Sequence, residues 1–169
     1  MRLHTYARAA TMLAFVASPL VAQKRAITFE DFAAVRAVSD PQVSPDGRWV
    51  LYSERTTDVE ANRRTGFTYL VSADGGAARR FPDDSTRASE ARWSPDGRSV
   101  AYVANDQLWV AATDGSSRRQ VTALSGGATG PVWAPTGDRI AFVSGVYPDC
   151  STDDCNAQRD KQKEENKVK

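Results

Sequence analysis

The chain of 169 residues has one histidine, two cysteines and no excess of either charge. Its 22 basic and 21 acidic side chains leave a formal net charge of +1. Such a balance supplies no concentrated field for nucleic acid or an anionic membrane. Two cysteines are too few for a scaffold built on disulfides. Long apolar runs are also missing. The run at 9–19, AATMLAFVASP, is too short to span a bilayer. What remains is an ordinary globular composition, 41% hydrophobic and 25% charged, with enough chain to bury a core.

That short run instead reads as an export signal over residues 1–22. Arg2 and Arg8 form a positive leader, residues 9–19 the apolar segment, and Ala22 a small residue at the cut, the three parts such a signal requires. The rival reading is a buried helix, but nothing caps it. Cleavage leaves residues 23–169, 147 residues with 20 basic and 21 acidic side chains, a formal net charge of −1. The expected location is periplasmic or secreted. The only histidine, His4, leaves with the signal. A Ser-His-Asp triad, a Cys-His pair and any histidine-ligated zinc are then excluded within the mature segment.

The rest of the chain is organised by repetition. Residues 43–53 (VSPDGRWVLYS), 93–103 (WSPDGRSVAYV) and 133–143 (WAPTGDRIAFV) superimpose, with Pro45, Pro95 and Pro135 at spacings of 50 and then 40. Residues 69–81 and 109–121 repeat at 40 as well, so the ten extra residues of the first unit fall between 53 and 68. That polar stretch predicts an enlarged loop. The motif itself is turn chemistry, in which Pro presets φ, Asp bonds the local backbone and Gly accepts a left-handed conformation. The structural turn residues are therefore Ser44, Pro45, Asp46 and Gly47, then Ser94, Pro95, Asp96 and Gly97, then Pro135 and Gly137. Apolar residues on both faces of the strands that follow suit a sheet sandwiched between neighbours. Four short strands per unit of about 40 residues is the pattern of a β-propeller blade.

The predicted fold is all-β, a partial propeller over residues 38–146. Its blades run over about 38–82, 88–124 and 129–146, the last supplying only two strands. Residues 23–37 form a linker and short helix. Thr28 is its N-cap, and Phe29, Phe32, Ala33 and Val35 form a stripe to dock on the first blade. Residues 147–169 are a polar insertion or tail, a loop or a solvated helix. Two and a half blades leave an apolar sheet face uncovered. Either the chain is the N-terminal piece of something longer, or copies of it assemble.

The segments TFEDF (28–32), VSDPQVSPDGRWVLY (38–52), WSPDGRSVAYV and FVSGVYPDC (142–150) resemble the N-terminal propeller of the prolyl oligopeptidase family, in its dipeptidyl-peptidase and acylaminoacyl-peptidase-like branch. The Ser-Pro-Asp-Gly motif alone is shared with TolB-like propellers. The resemblance implies a serine peptidase acting on short peptides. Its propeller caps a C-terminal α/β-hydrolase domain and filters access to the catalytic residues. The partners expected are that domain, the remaining blades and, in the whole enzyme, a peptide substrate. Neither nucleic acid nor, after cleavage of the signal, a membrane is expected. No G-x-S-x-G elbow occurs in the sequence, so no catalytic residue is carried over. The alternative is a non-enzymatic, TolB-like interaction propeller in the periplasm.

Other candidate sites read as structural. Cys150 and Cys155 in an exported loop suit a local disulfide, with two free thiols as the alternative. A C-x4-C pair without histidine is a poor metal site. Asp149, Asp153 and Asp154 lack the spacing and glycine of a calcium loop. No metal or cofactor is expected. Trp49, Trp93, Trp109 and Trp133 are assigned to packing, because Trp93 and Trp133 recur at one repeat position.

Overall fold

A computed structural model describes residues 25–167. The export signal expected at 1–22, with His4, lies outside the described residues. The first element is α1 (Phe29–Ala33). Thr28 caps it reciprocally: its hydroxyl accepts from the Asp31 amide, and the Asp31 carboxylate accepts from the Thr28 amide at 3.0 Å. This capping box satisfies two donors that a helix start leaves free. Arg25 donates to the same carboxylate at 2.6 Å. The helix is shorter than expected and ends by Ala34. Its apolar stripe does not bury on the first sheet. Phe29 is 65% exposed and Phe32 70%, because little more than one turn cannot lay a stripe along a sheet.

Among the described residues, ten strands follow in three antiparallel sheets. The first contains β1 (Ala37–Val43), β2 (Trp49–Asp58), β3 (Arg63–Ser72) and β4 (Arg79–Phe81), side by side in chain order. The second contains β5 (Ser89–Trp93), β6 (Ser99–Ala104), β7 (Gln107–Ala112) and β8 (Arg119–Gln120), in the same order. The third pairs β9 (Thr129–Trp133) with β10 (Ile140–Val143). The last described element is α2 (Asp153–Lys167), a charged helix on which Asn156 is the buried residue. Neither described helix is long and apolar enough to cross a membrane.

The expected loop in the first unit is corrected. Its extra residues lengthen a hairpin, with β2 and β3 paired in unbroken register from Trp49 opposite Ser72 to Asp58 opposite Arg63. Each strand has ten residues where β6 and β7 have six. At about 3.3 Å per residue the tip projects roughly 13 Å further. Polar, β-branched residues such as Thr56, Thr57 and Thr65 favour a solvated ladder over a loop, and the Asp58 carboxylate closes the turn by accepting from the Ala61 amide at 2.9 Å.

The core lies between sheets rather than within them. Leu51, Leu70 and Phe81 of the first sheet pack on Ala91, Val100, Tyr102 and Ala111 of the second. Phe81 meets Tyr102 edge to face, ring centroids 5.8 Å apart. On the other side of the second sheet, Ala101, Leu108 and Val110 pack with Ala128, Trp133 and Ile140. The period-2 alternation of β6 thus sends Val100 and Tyr102 into one core and Ala101 into the other. Sheets one and three each retain exposed apolar residues, among them Val43 in the first and Val132 and Val143 in the third. Trp49 departs from its assignment to packing: it is half-exposed, while Trp93 and Trp109 pack on one core and Trp133 on the other.

Candidate functional site

The repeated turn builds the same small network twice. Ser44 Oγ donates to the Asp46 carboxylate at 2.6 Å and accepts from the Trp49 amide at 2.9 Å, while Asp46 also accepts from the Arg48 amide at 3.1 Å. Ser94, Asp96, Arg98 and Ser99 reproduce these contacts at 2.6, 3.0 and 3.0 Å. In the third unit Ala134 replaces the serine, and Thr136 donates to Asp138 instead. The positive φ of Gly47 (73°), Gly97 (69°) and Gly137 (77°) is the left-handed corner that a side chain would strain. Successive turns also touch. A Cβ on Gly97 would lie 3.3 Å from Pro45 Cδ, and one on Gly137 3.7 Å from Pro95 Cδ. The ten turn residues therefore form one row along one side of the molecule.

The hydrogen bond from Ser44, followed by that from the Arg48 amide, holds the Asp46 carboxyl at about 2, against an ordinary 3.8. Asp96 is lowered for the same reasons, with Ser94 first. A carboxyl depressed on folding adds stability that is fully present above its unfolded value and is lost as pH falls through the folded one. Acid unfolding of the chain is therefore expected to draw on Asp46 between pH 3.8 and about 2. Asp46→Asn should flatten that part of the profile, as followed by tryptophan fluorescence against pH. Ser44 is 5% exposed, so Ser44→Ala leaves the Trp49 amide without its partner. A cost of about 1–2 kcal/mol in urea unfolding is expected.

The first strands β1, β5 and β9 lie against one another in sequence and form a polar wall along one edge of the stack. Asp40 and Glu90 occupy its bulges, at positive φ of 52° and 51°, and Gly130 takes the third equivalent position at 59°. Each acid reaches across to the next sheet. Asp40 accepts from Arg92 Nη1 at 2.7 Å, and Glu90 from the Gly130 amide at 2.6 Å. Tryptophans answer in the other direction: Trp93 Nε1 donates to the Gln42 carbonyl at 3.0 Å and Trp133 Nε1 to the Arg92 carbonyl at 3.1 Å. The two acids and Arg92 belong to no motif recognised in the sequence. The 50 and 40 spacing that aligns the prolines also aligns Asp40, Glu90 and Gly130, and would have found them. Trp133→Phe removes one clasp while keeping an aromatic ring, with an expected loss of about 1 kcal/mol in urea unfolding.

Cys150 and Cys155 are joined as a disulfide, with Cα atoms 5.4 Å apart. The linked loop begins α2. Asp153 accepts from both the amide and the hydroxyl of Ser125, at 3.0 and 2.8 Å, and Tyr147 donates to Asp160 at 2.8 Å. The Ser125 contacts fasten the tail to the connection between β8 and β9. Asp149 pairs with Arg159. Among the described residues, no group of three or more His, Cys, Asp or Glu side chains could hold a metal ion. The described residues thus assemble a row of turns and a polar wall.

Four-stranded antiparallel sheets stacked face to face, with equivalent contacts handed from each sheet to the next, are blades of a propeller. Residues 44–145 match the family described as the dipeptidyl peptidase IV (DPP IV) N-terminal region, and the chain belongs to that family. It is 30% identical over 97 residues to the uncharacterized peptidase YuxL of Bacillus subtilis (strain 168), covering 54% of this chain and 15% of that relative. It thus spans about 15% of that relative's length. The Pyrococcus horikoshii acylaminoacyl peptidase superposes with a TM-score of 0.58 at 22% identity, covering 71% of this chain and 19% of that one, a likeness of fold. A putative TolB from Agrobacterium tumefaciens superposes with a TM-score of 0.50 at 27% identity, covering 65% of this chain and 39% of that one.

Proposed function

We propose that the chain is the non-catalytic N-terminal propeller segment of an exported serine peptidase acting on short peptides. The observation that carries this reading is the match of residues 44–145 to the N-terminal region of dipeptidyl peptidase IV. It is supported by the propeller fold shared with the Pyrococcus horikoshii acylaminoacyl peptidase. In this reading the segment filters access to a hydrolase domain and packs on it, while an acyl-enzyme forms elsewhere in the longer protein. The coding DNA beyond codon 169 is expected to continue through further Ser-Pro-Asp-Gly repeats to a G-x-S-x-G elbow, an aspartate and a histidine. The full product should hydrolyse fluorogenic dipeptide substrates and lose activity to a serine-directed fluorophosphonate, whereas residues 23–169 alone should hydrolyse none. A continuation through repeats to a stop codon, with no hydrolase, would reject this reading. It would favour a TolB-like interaction propeller instead, the second reading to which the 27% identity with the Agrobacterium protein lends support.

A further inference from the structure

The Tyr102 hydroxyl plays no part in the packing that holds its ring. The residue is 1% exposed, and the ring lies edge to face with Phe81. At the 40-residue spacing the aligned residue is Phe142, so this repeat position calls for the ring and not the oxygen. Among the described residues the Tyr102 hydroxyl has no hydrogen-bond partner, while no fully buried polar side-chain atom lacks one. The oxygen therefore reaches open space. That space is a pocket of about 310 Å³ lined by Thr86, Tyr102, Ala104, Asn105, Trp109 and Arg118.

The pocket is organised by contacts of its own. Asp83 accepts from the amide and hydroxyl of Ser85 at 2.7 and 2.6 Å, and from both groups of Thr86 at 2.9 Å. Arg118 Nη1 pairs with this carboxylate and donates to Thr86 Oγ1 at 3.3 Å. The Ser85 hydroxyl, first among these partners, holds the Asp83 carboxyl well below its ordinary range, so it stays an anion that compensates Arg118. Trp109 is fixed as well. Its Nε1 donates to the Ala104 carbonyl at 3.1 Å, which engages its one polar group and leaves the ring as apolar surface.

The lining thus combines aromatic carbon with hydrogen-bonding groups and carries no net charge. An anion would meet Asp83 and a cation Arg118, so neither is favoured. The volume lies at the small end of ligand pockets and suits a single ring. A ring with an apolar C–H face and hydroxyls at its edge matches such a lining. We propose that this pocket binds a neutral sugar ring, its C–H face on Trp109 and its hydroxyls bonded to Tyr102 Oη, Asn105 and the N–H groups of Arg118 that Asp83 leaves free.

Saturation-transfer NMR on the full-length protein tests this, with glucose, galactose and N-acetylglucosamine as probes beside benzoate and benzamide. At least one sugar should bind with a millimolar Kd, as expected of so small a ligand. Tyr102→Phe should weaken that binding about three- to tenfold, the loss of one hydrogen bond, and leave the thermal midpoint in place because the ring against Phe81 is kept. Asn105→Gly suits that residue's φ of 50° and should weaken binding too; it decides the matter alone if Tyr102→Phe fails to fold. Methyl glycosides of the same sugars should bind as well as the free sugars if the site takes the end of a glycan, and worse if it takes a free monosaccharide. Absence of sugar binding, sugar binding unchanged in both variants, or binding of benzoate or benzamide without any sugar would overturn the proposal.

Discussion

Phe81→Ala is expected to cost the chain about 3–5 kcal/mol, the range for deleting a fully buried aromatic side chain. Phe81 is 0% exposed and closes the seam between the first two sheets. Its ring lies edge-on to Tyr102 and in the same cluster as Leu51, Leu70 and Val100. The cavity would open beside Ala88, Ala91 and Ala111 of the same cluster, side chains too short to fill it. Urea unfolding followed by tryptophan fluorescence should show the midpoint falling by the corresponding amount. A loss below about 1 kcal/mol would mean that the two sheets do not pack through this residue.

Gly115→Ala is expected to be nearly as damaging, for reasons of backbone rather than burial. Gly115 sits at φ 89° in the turn after β7, where a side chain is strained. A Cβ there would also collide with the carbonyl oxygen of Pro82, whose carbonyl carbon would be 3.2 Å away. Pro82 follows β4 of the first sheet, so the clash pushes one sheet off the next. The two effects together should cost about 2–4 kcal/mol. Gly75 occupies the aligned turn of the first unit at φ 92°, with nothing within 4 Å of its Cβ. Gly75→Ala keeps the strain but lacks the clash, and is expected to cost the smaller share. Thermal unfolding of both variants side by side separates conformational strain from inter-sheet contact; equal losses would mean that the Pro82 contact contributes nothing.

Much of this architecture was legible in the repeat. Proline and glycine at fixed spacing marked the turns, since few residue types tolerate those dihedrals. The paired apolar faces of 99–104 announced a sheet covered on both sides, as Val100, Ala101 and Tyr102 now show. The polar stretch between 53 and 68 was misread because composition is similar for a loop and for a hairpin exposed on both faces; only the pairing of Arg55 with Gly66 and Asp58 with Arg63 distinguishes them. The stripe on α1 was misread because periodicity reports which residues share a face and cannot say what that face meets. The polar wall went unnoticed for a related reason. Asp40, Glu90 and Arg92 carry no motif of their own, and their roles arise from bulges that aim each side chain at the adjacent sheet.

Local sequence determined the turns, the cap at Thr28, the strand alternation and the repeat unit, because each depends on dihedral preference and hydrogen bonds within a few residues. Tertiary structure alone decided which faces met. It brought Phe81 to Tyr102 and Trp93 to Gln42 across the seams between sheets, turned the long insertion into a hairpin, and left Phe29 and Phe32 open beside Arg55 and Arg64. The contacts across the seams join residues 21 and 51 positions apart, where the burial of apolar surface and not local propensity sets the balance.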